Sequence, residues 1–417
     1  MPQDPLCLLC VEPRFPGRLG GVADWLVRRR GYRCWFYCHG ADPKEFWPQA
    51  TGRGLEIVPF GVGGVAREES VVWPRNLERG ICFAYGCWEV LSARRPWPVD
   101  LVIGRSAGLG STLFVPAALP GTPIINMFDY YYHPHGNDLA PEIGGRMPPE
   151  YFQWRRTANA MDLLDLENGI TPWTTTRWQR DLFPDEYRAD FKVVFDGIEE
   201  RHAKRRPGRP RTIAGRAIPP EAKVVTFVAW QLDRLRGFDR FVELSNRLLR
   251  KRADVVCVAV GGGPVRRTLD VEFFGKDYGA HVLGQTPPHD PSRFWTLGKV
   301  APAVVAEVFE ASDLHVYPSR PYVVSRSLIE AMSAGALVLA WDSEPVREVL
   351  TPDKTAIVVP PEDLEGQERR ALSALEDPAV HRPLCEAAQE IVRERYSREV
   401  SLPLLASMLD QLASKGH

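Results

Sequence analysis

The sequence has no apolar run near the roughly 18 residues that a membrane-crossing helix needs. It has almost no net charge, −1 over 417 residues, so no overall field draws it to nucleic acid or to an anionic surface. It lacks G-x-x-x-x-G-K-[ST], which excludes a P-loop. It lacks H-E-x-x-H, which removes the common zinc-protease arrangement. No Asp-x-Asp occurs, so that short pair is not there to hold Mg²⁺ or Mn²⁺ on a diphosphate, and no metal site is expected. The start, MPQDPLCLLCVEP, puts an acid before a very short apolar run and has no basic n-region. It does not read as a signal peptide, and a cytoplasmic location is expected.

What is present is ordinary for a globular chain: 44% hydrophobic and 25% charged residues. The length suggests two or three domains with ample core. Of eight cysteines, Cys7 and Cys10 form C-x-x-C inside LCLLCV, and Cys34 and Cys38 flank WFY. Zinc or redox pairs want exposed turns. These lie in strand-like sequence, so buried thiols are the favoured reading over metal or disulfide.

Short apolar strands alternate with longer helical patterns, as in an α/β protein. LCLLCV (6–11) reads as the first strand. The glycine-rich turn PGRLGG (16–21) leads into the helical VADWLVRRRG, closed by Gly31. Strands follow at 32–38, 55–60, 100–105 and 122–128, with helices at about 75–94, 149–168 and 175–182. A second series begins near KVVTFVAW (223–230). It continues with a helix at 238–251 and with DVVCVAVGGG (254–263), AHVLGQ (280–285) and DLHVYPS (313–319), a helix near 302–311 lying before the last of these. TAIVVP (355–360) ends the series, and helical sequence runs from 364 to 414. Two such series imply two similar α/β domains. Between them, Arg201–Arg211 carries six Lys/Arg residues. It reads first as a solvated linker or surface loop, and second as a contact for an anionic membrane surface or charged acceptor.

GVGGVA (61–66) fits G-x-G-x-x-G/A after the strand LEIVPF, the dinucleotide-binding pattern. It follows a later strand, and AREESVVWP after it lacks an amphipathic helical pattern. In the second series, WQLDRLRGFDRFVEL (230–244) places Arg236 beside Gly237 in a loop at a strand's carboxyl end, where open α/β sheets bind ligands. AVGGGP (259–264), with Gly262, ends another strand at the same edge. RPYVVSRSLIEAMSAGALVLAW (320–341) ends a third. Its helix start offers the backbone N–H groups of Ser325, Arg326, Ser327 and Leu328 to an anion. Glu330, one turn in, would then reach sugar hydroxyls. The competing reading makes Ser327-x-x-Glu330 a capping box, with the acid bonded back to the cap.

SRSLIEAMSAGALVLAWDSEPVREVL resembles the donor-binding signature of retaining glycosyltransferases with the GT-B fold, family-4 type. LDRLRGFDRFVE is similar to that family's basic turn before Gly-Phe, and VVFDGIE (193–199) to its interdomain crossing. FDYYYHPHGND (128–138), LLDLENGITPWTTTRWQRDLFPDEYR (163–188) and YVVSRSLIEAM resemble a bacterial subgroup tied to cell-surface polysaccharides. Two positions depart from the family. Tyr322 stands where it has the first acid of E-x₇-E, and Trp230 and Gln231 stand where it often has an arginine.

The resemblance implies an α/β fold of two Rossmann-like domains facing across a cleft. Residues 1–195 would be an acceptor-binding domain and 196–385 a nucleotide-sugar-binding domain. Residues 386–417 would form C-terminal helices crossing back. It implies transfer of a sugar from a nucleotide diphosphate sugar, UDP- or GDP-linked, to a hydroxyl of a glycan or lipid-linked acceptor in polysaccharide biosynthesis. The donor is a substrate; no cofactor, metal or nucleic acid is involved. A lipid-linked acceptor would add peripheral contact at the inner membrane face. Arg236 would stabilise the leaving diphosphate, with Arg320 or Arg326 as helpers. Gly17 and Gly21, with Gly20, would let backbone approach the ligands closely, and Gly262 would serve the donor. Asp129 and His133 are catalytic candidates, and His135 and Trp173 acceptor contacts. Each of these four stands against a plainer reading, as loop surface or, for Trp173, as part of a buried aromatic pair. Two rivals remain at this point: a non-catalytic sugar-nucleotide-binding relative, and an NAD(P)-dependent oxidoreductase resting on GVGGVA.

Overall fold

A computed structural model describes residues 5–44, 47–62, 72–94, 98–106, 112–136, 138, 149–200, 211–262 and 277–414. The chain divides into two compact units. The first comprises Met1–Gly136, Arg146–Gly197 and Arg398–His417; the second comprises Asn137–Gly145 and Ile198–Ser397. The division at Gly197 lies two residues beyond the 195/196 boundary read from sequence. Of the stretch 386–417, only the part from Arg398 belongs with the first unit.

The first unit is built on a seven-stranded sheet. In chain order its strands are β1 (Cys7–Val11), β2 (Arg33–Cys38), β3 (Leu55–Pro59), β4 (Leu101–Arg105), β5 (Ile124–Met127), β6 (Thr171–Thr174) and β7 (Lys192–Val193). Their spatial order is β3-β2-β1-β4-β5-β6-β7, and every pairing is parallel. Near-continuous apolar runs such as CLLCV suit strands covered on both faces. Helix α1 (Leu19–Arg30) buries Leu19, Val22, Ala23 and Leu26, one stripe at helical spacing. The last helix, Arg398–Ala413, adds Leu402, Leu405, Ala406 and Leu409 to the same core. Cys7, Cys10, Cys34 and Cys38 are all buried free thiols, in keeping with the structural reading of these residues.

Two local expectations are corrected here. The single helix expected over 149–168 is two, Pro149–Thr157 and Ala160–Glu167. At the break, Asn159 turns its amide onto the backbone of Tyr132, accepting from its N–H and donating to its C=O, each at 2.8 Å. Helix α1 also starts earlier than expected, taking Gly20 and Gly21 inside it. A carboxylate described below satisfies its first N–H groups.

The second unit carries a six-stranded parallel sheet: β8 (Lys223–Val228), β9 (Val255–Val260), β10 (Phe294–Thr296), β11 (Leu314–Tyr317), β12 (Val338–Trp341) and β13 (Ile357–Val359). The order is β10-β9-β8-β11-β12-β13, so the winding reverses between β8 and β11. That switch point is where such sheets bind ligands. AHVLGQ, expected as a strand, is a helix, Tyr278–Gln285. Asp277 caps it through a bond from the Ala280 N–H at 3.0 Å, and Tyr278 and Val282 turn one face into the core. The missing strand is the three-residue FWT, paired parallel to β9 and too short to show a period.

His315 on β11 is fully buried. Its Nδ1 lies 3.1 Å from Thr226 Oγ1, and Nε2 has no partner. Burial pushes its pKa down to about 3, so it is neutral in the fold. The unfolded chain takes up this proton near pH 6.5, and the fold does not. Stability from this residue is therefore lost as pH falls below about 6.5. The expected slope is about 1.4 kcal/mol per pH unit. Denaturant unfolding of wild type and His315→Asn at pH 7 and pH 5.5 checks it. The wild type should lose more than the variant by about that slope, and equal losses would contradict it.

Candidate functional site

The loops after β8 and β11 meet at the switch point of the second sheet. Between β8 and the helix Phe238–Lys251, Gly237 sits at φ +75°. A Cβ there would lie 2.0 Å from the Pro318 carbonyl oxygen, so only glycine lets the two loops touch. Asp233, almost fully buried, accepts the Arg236 N–H at 2.8 Å and fixes this turn. Half-buried Arg236 then reaches across to the second loop. Its Nη1 donates to the Val323 carbonyl at 2.7 Å and lies 3.5 Å from the Tyr317 hydroxyl. Its guanidinium stands 5.5 Å from the ring centre of Tyr322. In place of the family's first acid, an aromatic face meets the cation.

Tyr317 ties Arg236 to the helix that follows, because its hydroxyl also accepts the Ser325 N–H at 3.0 Å. That helix is Arg326–Ser333, with Ser325 as its N-cap, and Ser325 Oγ accepts the Leu328 N–H at 3.3 Å. The cap is thus two residues earlier than the capping-box reading required. Glu330 is the fifth helical residue, out of reach of its own helix cap, which overturns that reading. Its half-buried carboxylate has no protein partner among the described residues. Of the four N–H groups expected to be open, Ser325 and Leu328 are engaged by Tyr317 and by the cap. Arg326 and Ser327 open the first turn, and the Ser327 hydroxyl bonds to Ser325 Oγ at 2.6 Å. Arg320 is no helper for a ligand: it is buried, paired with Asp239 at 3.0 Å, and it donates to the Arg234 carbonyl.

Of the residues singled out from the sequence, Arg236, Gly237 and Glu330 lie in these two loops and the helix that follows; Tyr317, Asp233 and the pairing of Tyr322 with Arg236 were not singled out. The available signal was position, since Tyr317 ends a strand at the ligand edge. Gly262 also stands at that edge, half-buried, with its N–H 3.4 Å from the Trp230 carbonyl.

In the first unit, α1's N-terminus is filled by the protein itself. Glu12 Oε1 accepts the Arg18 N–H at 3.1 Å, and Oε2 accepts the Leu19 N–H at 2.9 Å. A Cβ on Gly17, whose φ is +52°, would lie 2.3 Å from Glu12 Oε2. The close approach this glycine permits is therefore to a side-chain carboxylate. Gly21 lies inside the helix, where a Cβ would meet only the end of the Arg398 side chain, at 3.2 Å.

Glu12 joins a chain of charges with Arg105, Asp129, Arg18 and Asp196. Arg105 pairs with Glu12 at 2.8 Å and with Asp129, and Arg18 pairs with Asp129 at 2.9 Å and Asp196 at 3.0 Å. Burial opposes charge on Asp129, but Arg105 and Arg18 outweigh it and hold its carboxyl below the usual range. A carboxylate held this way is a poor proton acceptor. Asp129, a catalytic candidate from the sequence, is thus a member of an ion-pair chain. His133 is exposed, with Nε2 2.8 Å from the Leu182 carbonyl, which makes that nitrogen the donor. His135 is exposed beside Phe152. Trp173 is completely buried and donates its indole N–H to the Val194 carbonyl at 2.7 Å, so its role as an acceptor contact is corrected to core.

GVGGVA from residue 63 onward lies outside the described residues, as does the basic run up to 210. The strand before GVGGVA, β3, is at the sheet edge, away from the central position a dinucleotide fingerprint requires. Arg211 is paired with Asp313 at 3.0 Å. No helix among the described residues is long and apolar enough to cross a membrane.

Two Rossmann-like sheets, the second with an arginine turn and a helix start meeting at its switch point, define a two-domain α/β protein. Residues 30–202 match the glycosyl transferase family 4 group, and residues 222–377 match the glycosyl transferases group 1. The chain belongs to the glycosyltransferases of GT-B fold, family-4 type. It is 25% identical over 178 residues to alpha-D-kanosaminyltransferase of Streptomyces kanamyceticus, 43% of this chain and 41% of the relative. The match thus spans about two fifths of that protein's length. Among solved structures, sucrose-phosphate synthase of Thermosynechococcus elongatus superposes with TM-score 0.69 at 14% identity, covering 98% of this chain and 100% of that one. HepE of Anabaena, solved with UDP-glucose, gives 0.66 at 13%, covering 97% and 100%. A glycosyltransferase of Rickettsia africae gives 0.65 at 14%, covering 98% and 99%.

Proposed function

We propose that the protein moves a sugar from a nucleotide diphosphate sugar to a hydroxyl of a glycan or lipid-linked acceptor and keeps the donor's anomeric configuration. The observation that carries this is the linked set Arg236–Tyr317–Ser325 at the switch point, with the unpartnered Glu330 one turn further on. Negative charge grows on the diphosphate as the glycosidic bond breaks. Arg236 and the positive end of the helix Arg326–Ser333 are fixed beforehand where that charge appears. The leaving phosphate takes the acceptor proton, so no free general base is needed, and Asp129 remains with its arginines. Glu330 takes the ribose hydroxyls. A lipid-linked acceptor would place the protein at the inner membrane face, where the cationic run Arg201–Arg211 would meet the anionic surface.

No metal enters this scheme. Arg236 and the helix end take the part a cation would play. Given nucleotide sugar and acceptor in EDTA, the purified protein should therefore turn over, with NMR showing the donor's anomeric configuration in the product. Activity lost in EDTA and restored by Mn²⁺ would contradict the metal-free scheme, and an inverted product would contradict retention. Nucleotide binding without any turnover would favour the non-catalytic relative, a reading that the Tyr322 position motivates.

A further inference from the structure

The same sheet edge holds a feature that the diphosphate site does not use. Trp230 follows β8 and is 62% exposed, a costly setting for a large apolar ring. Its backbone is fixed. Ala229 donates to the Val260 carbonyl at 2.9 Å, and the Trp230 carbonyl faces the Gly262 N–H at 3.4 Å. The Lys299 ammonium sits 3.7 Å from the centre of the indole ring, a cation–π contact that orients it.

The surroundings are made of glycine. Gly261 has φ +142°, and a Cβ there would lie 2.6 Å from the Ala229 carbonyl oxygen. Its N–H bonds to Gly298 at 3.0 Å, and a Cβ on Gly262 would come within 3.3 Å of the Gly298 Cα. The carboxyl ends of β8, β9 and β10 therefore lie backbone against backbone, with the indole and its lysine standing beside them. Arg236 leaves the same loop toward β11, on the opposite side of β8. Phosphate site and indole are thus separated by one to three strand spacings, roughly 5–15 Å.

We infer that Trp230, held by Lys299, is the stacking platform for the nucleobase of the donor. The inference rests on the nucleotide-sugar reading above. A ligand whose diphosphate lies at Arg236 and the helix start has two ends. The sugar end has to meet the acceptor. The flat base is the part whose face matches an exposed indole, and stacking on one aromatic ring suits any base. Trp230 thus gives the position that departs from the family a use in binding.

Calorimetric titration of UDP, GDP and inorganic pyrophosphate into wild type, Trp230→Phe and Trp230→Ala tests this. Trp230→Ala should lose roughly tenfold to hundredfold in affinity for the better-bound nucleotide, the worth of one base on one ring. Trp230→Phe should lose less. Pyrophosphate affinity and melting temperature should stay unchanged, because the ring is exposed and away from Arg236. Unaltered nucleotide affinity in Trp230→Ala overturns the inference and leaves the nucleotide-sugar reading standing. Equal losses for nucleotide and pyrophosphate overturn it also, by assigning the ring to the phosphates. Absence of nucleotide binding to the wild type overturns both.

Discussion

Arg236→Ala is expected to lower kcat/KM by two to three orders of magnitude in a protein that still folds. Arg236 is a half-buried cation that links the two loops at the switch point, through Val323 and Tyr317. Removing a preorganised charge or donor from a developing anion costs roughly 2–4 kcal/mol of transition-state stabilisation. The turn itself survives the change, because it is held by Asp233 on the Arg236 backbone N–H and by Gly237, not by the guanidinium. Arg236→Lys should recover part of the loss, since a lysine restores the charge without the planar fork. Steady-state kinetics with melting curves for the three proteins check this. A folded Arg236→Ala enzyme with wild-type kcat/KM would remove Arg236 from the chemistry.

Glu330→Gln is expected to weaken nucleotide binding by roughly 1.5–3 kcal/mol, the worth of hydrogen bonds to a charged group. A carboxylate offers two charged acceptor oxygens to two ribose hydroxyls, whereas an amide offers one neutral oxygen and a donor pair with no match. The melting temperature without ligand should hardly move, because Glu330 does not cap its helix; Ser325 does. Calorimetry beside melting curves decides the matter. Equal affinity in wild type and Glu330→Gln would leave the residue without a ligand role.

The second unit was the more legible part of the sequence. Gly237 beside a base, a serine-rich helix start and an acid one turn on are local features, and local features survive into the structure with small shifts. The cap moved from Ser327 to Ser325 because a serine at either position can cap a helix, each through a different N–H, and the sequence does not rank them. AHVLGQ was misread because six apolar-rich residues carry either period, and Asp277, the cap that decides it, lies just outside the run. The first unit hid its main feature. Arg18 and Asp196 are 178 positions apart, and Arg105 and Glu12 are 93 apart. No spacing rule connects such pairs, so the glycines at 17 and 21 looked like room for a ligand when Glu12 fills the helix end. Trp173 was misjudged for a related reason. Its strand is short and polar in sequence, TPWT, yet it lies inside the sheet between β5 and β7.

Release of nucleoside diphosphate from a panel of UDP-, GDP- and ADP-sugars, with purified wild type and Arg236→Ala side by side, tests the central claim most directly. The account predicts release from at least one donor by the wild type and a rate lower by two to three orders of magnitude in the variant. Absence of release from every donor, with no nucleotide bound, or equal rates in the two proteins, would contradict it.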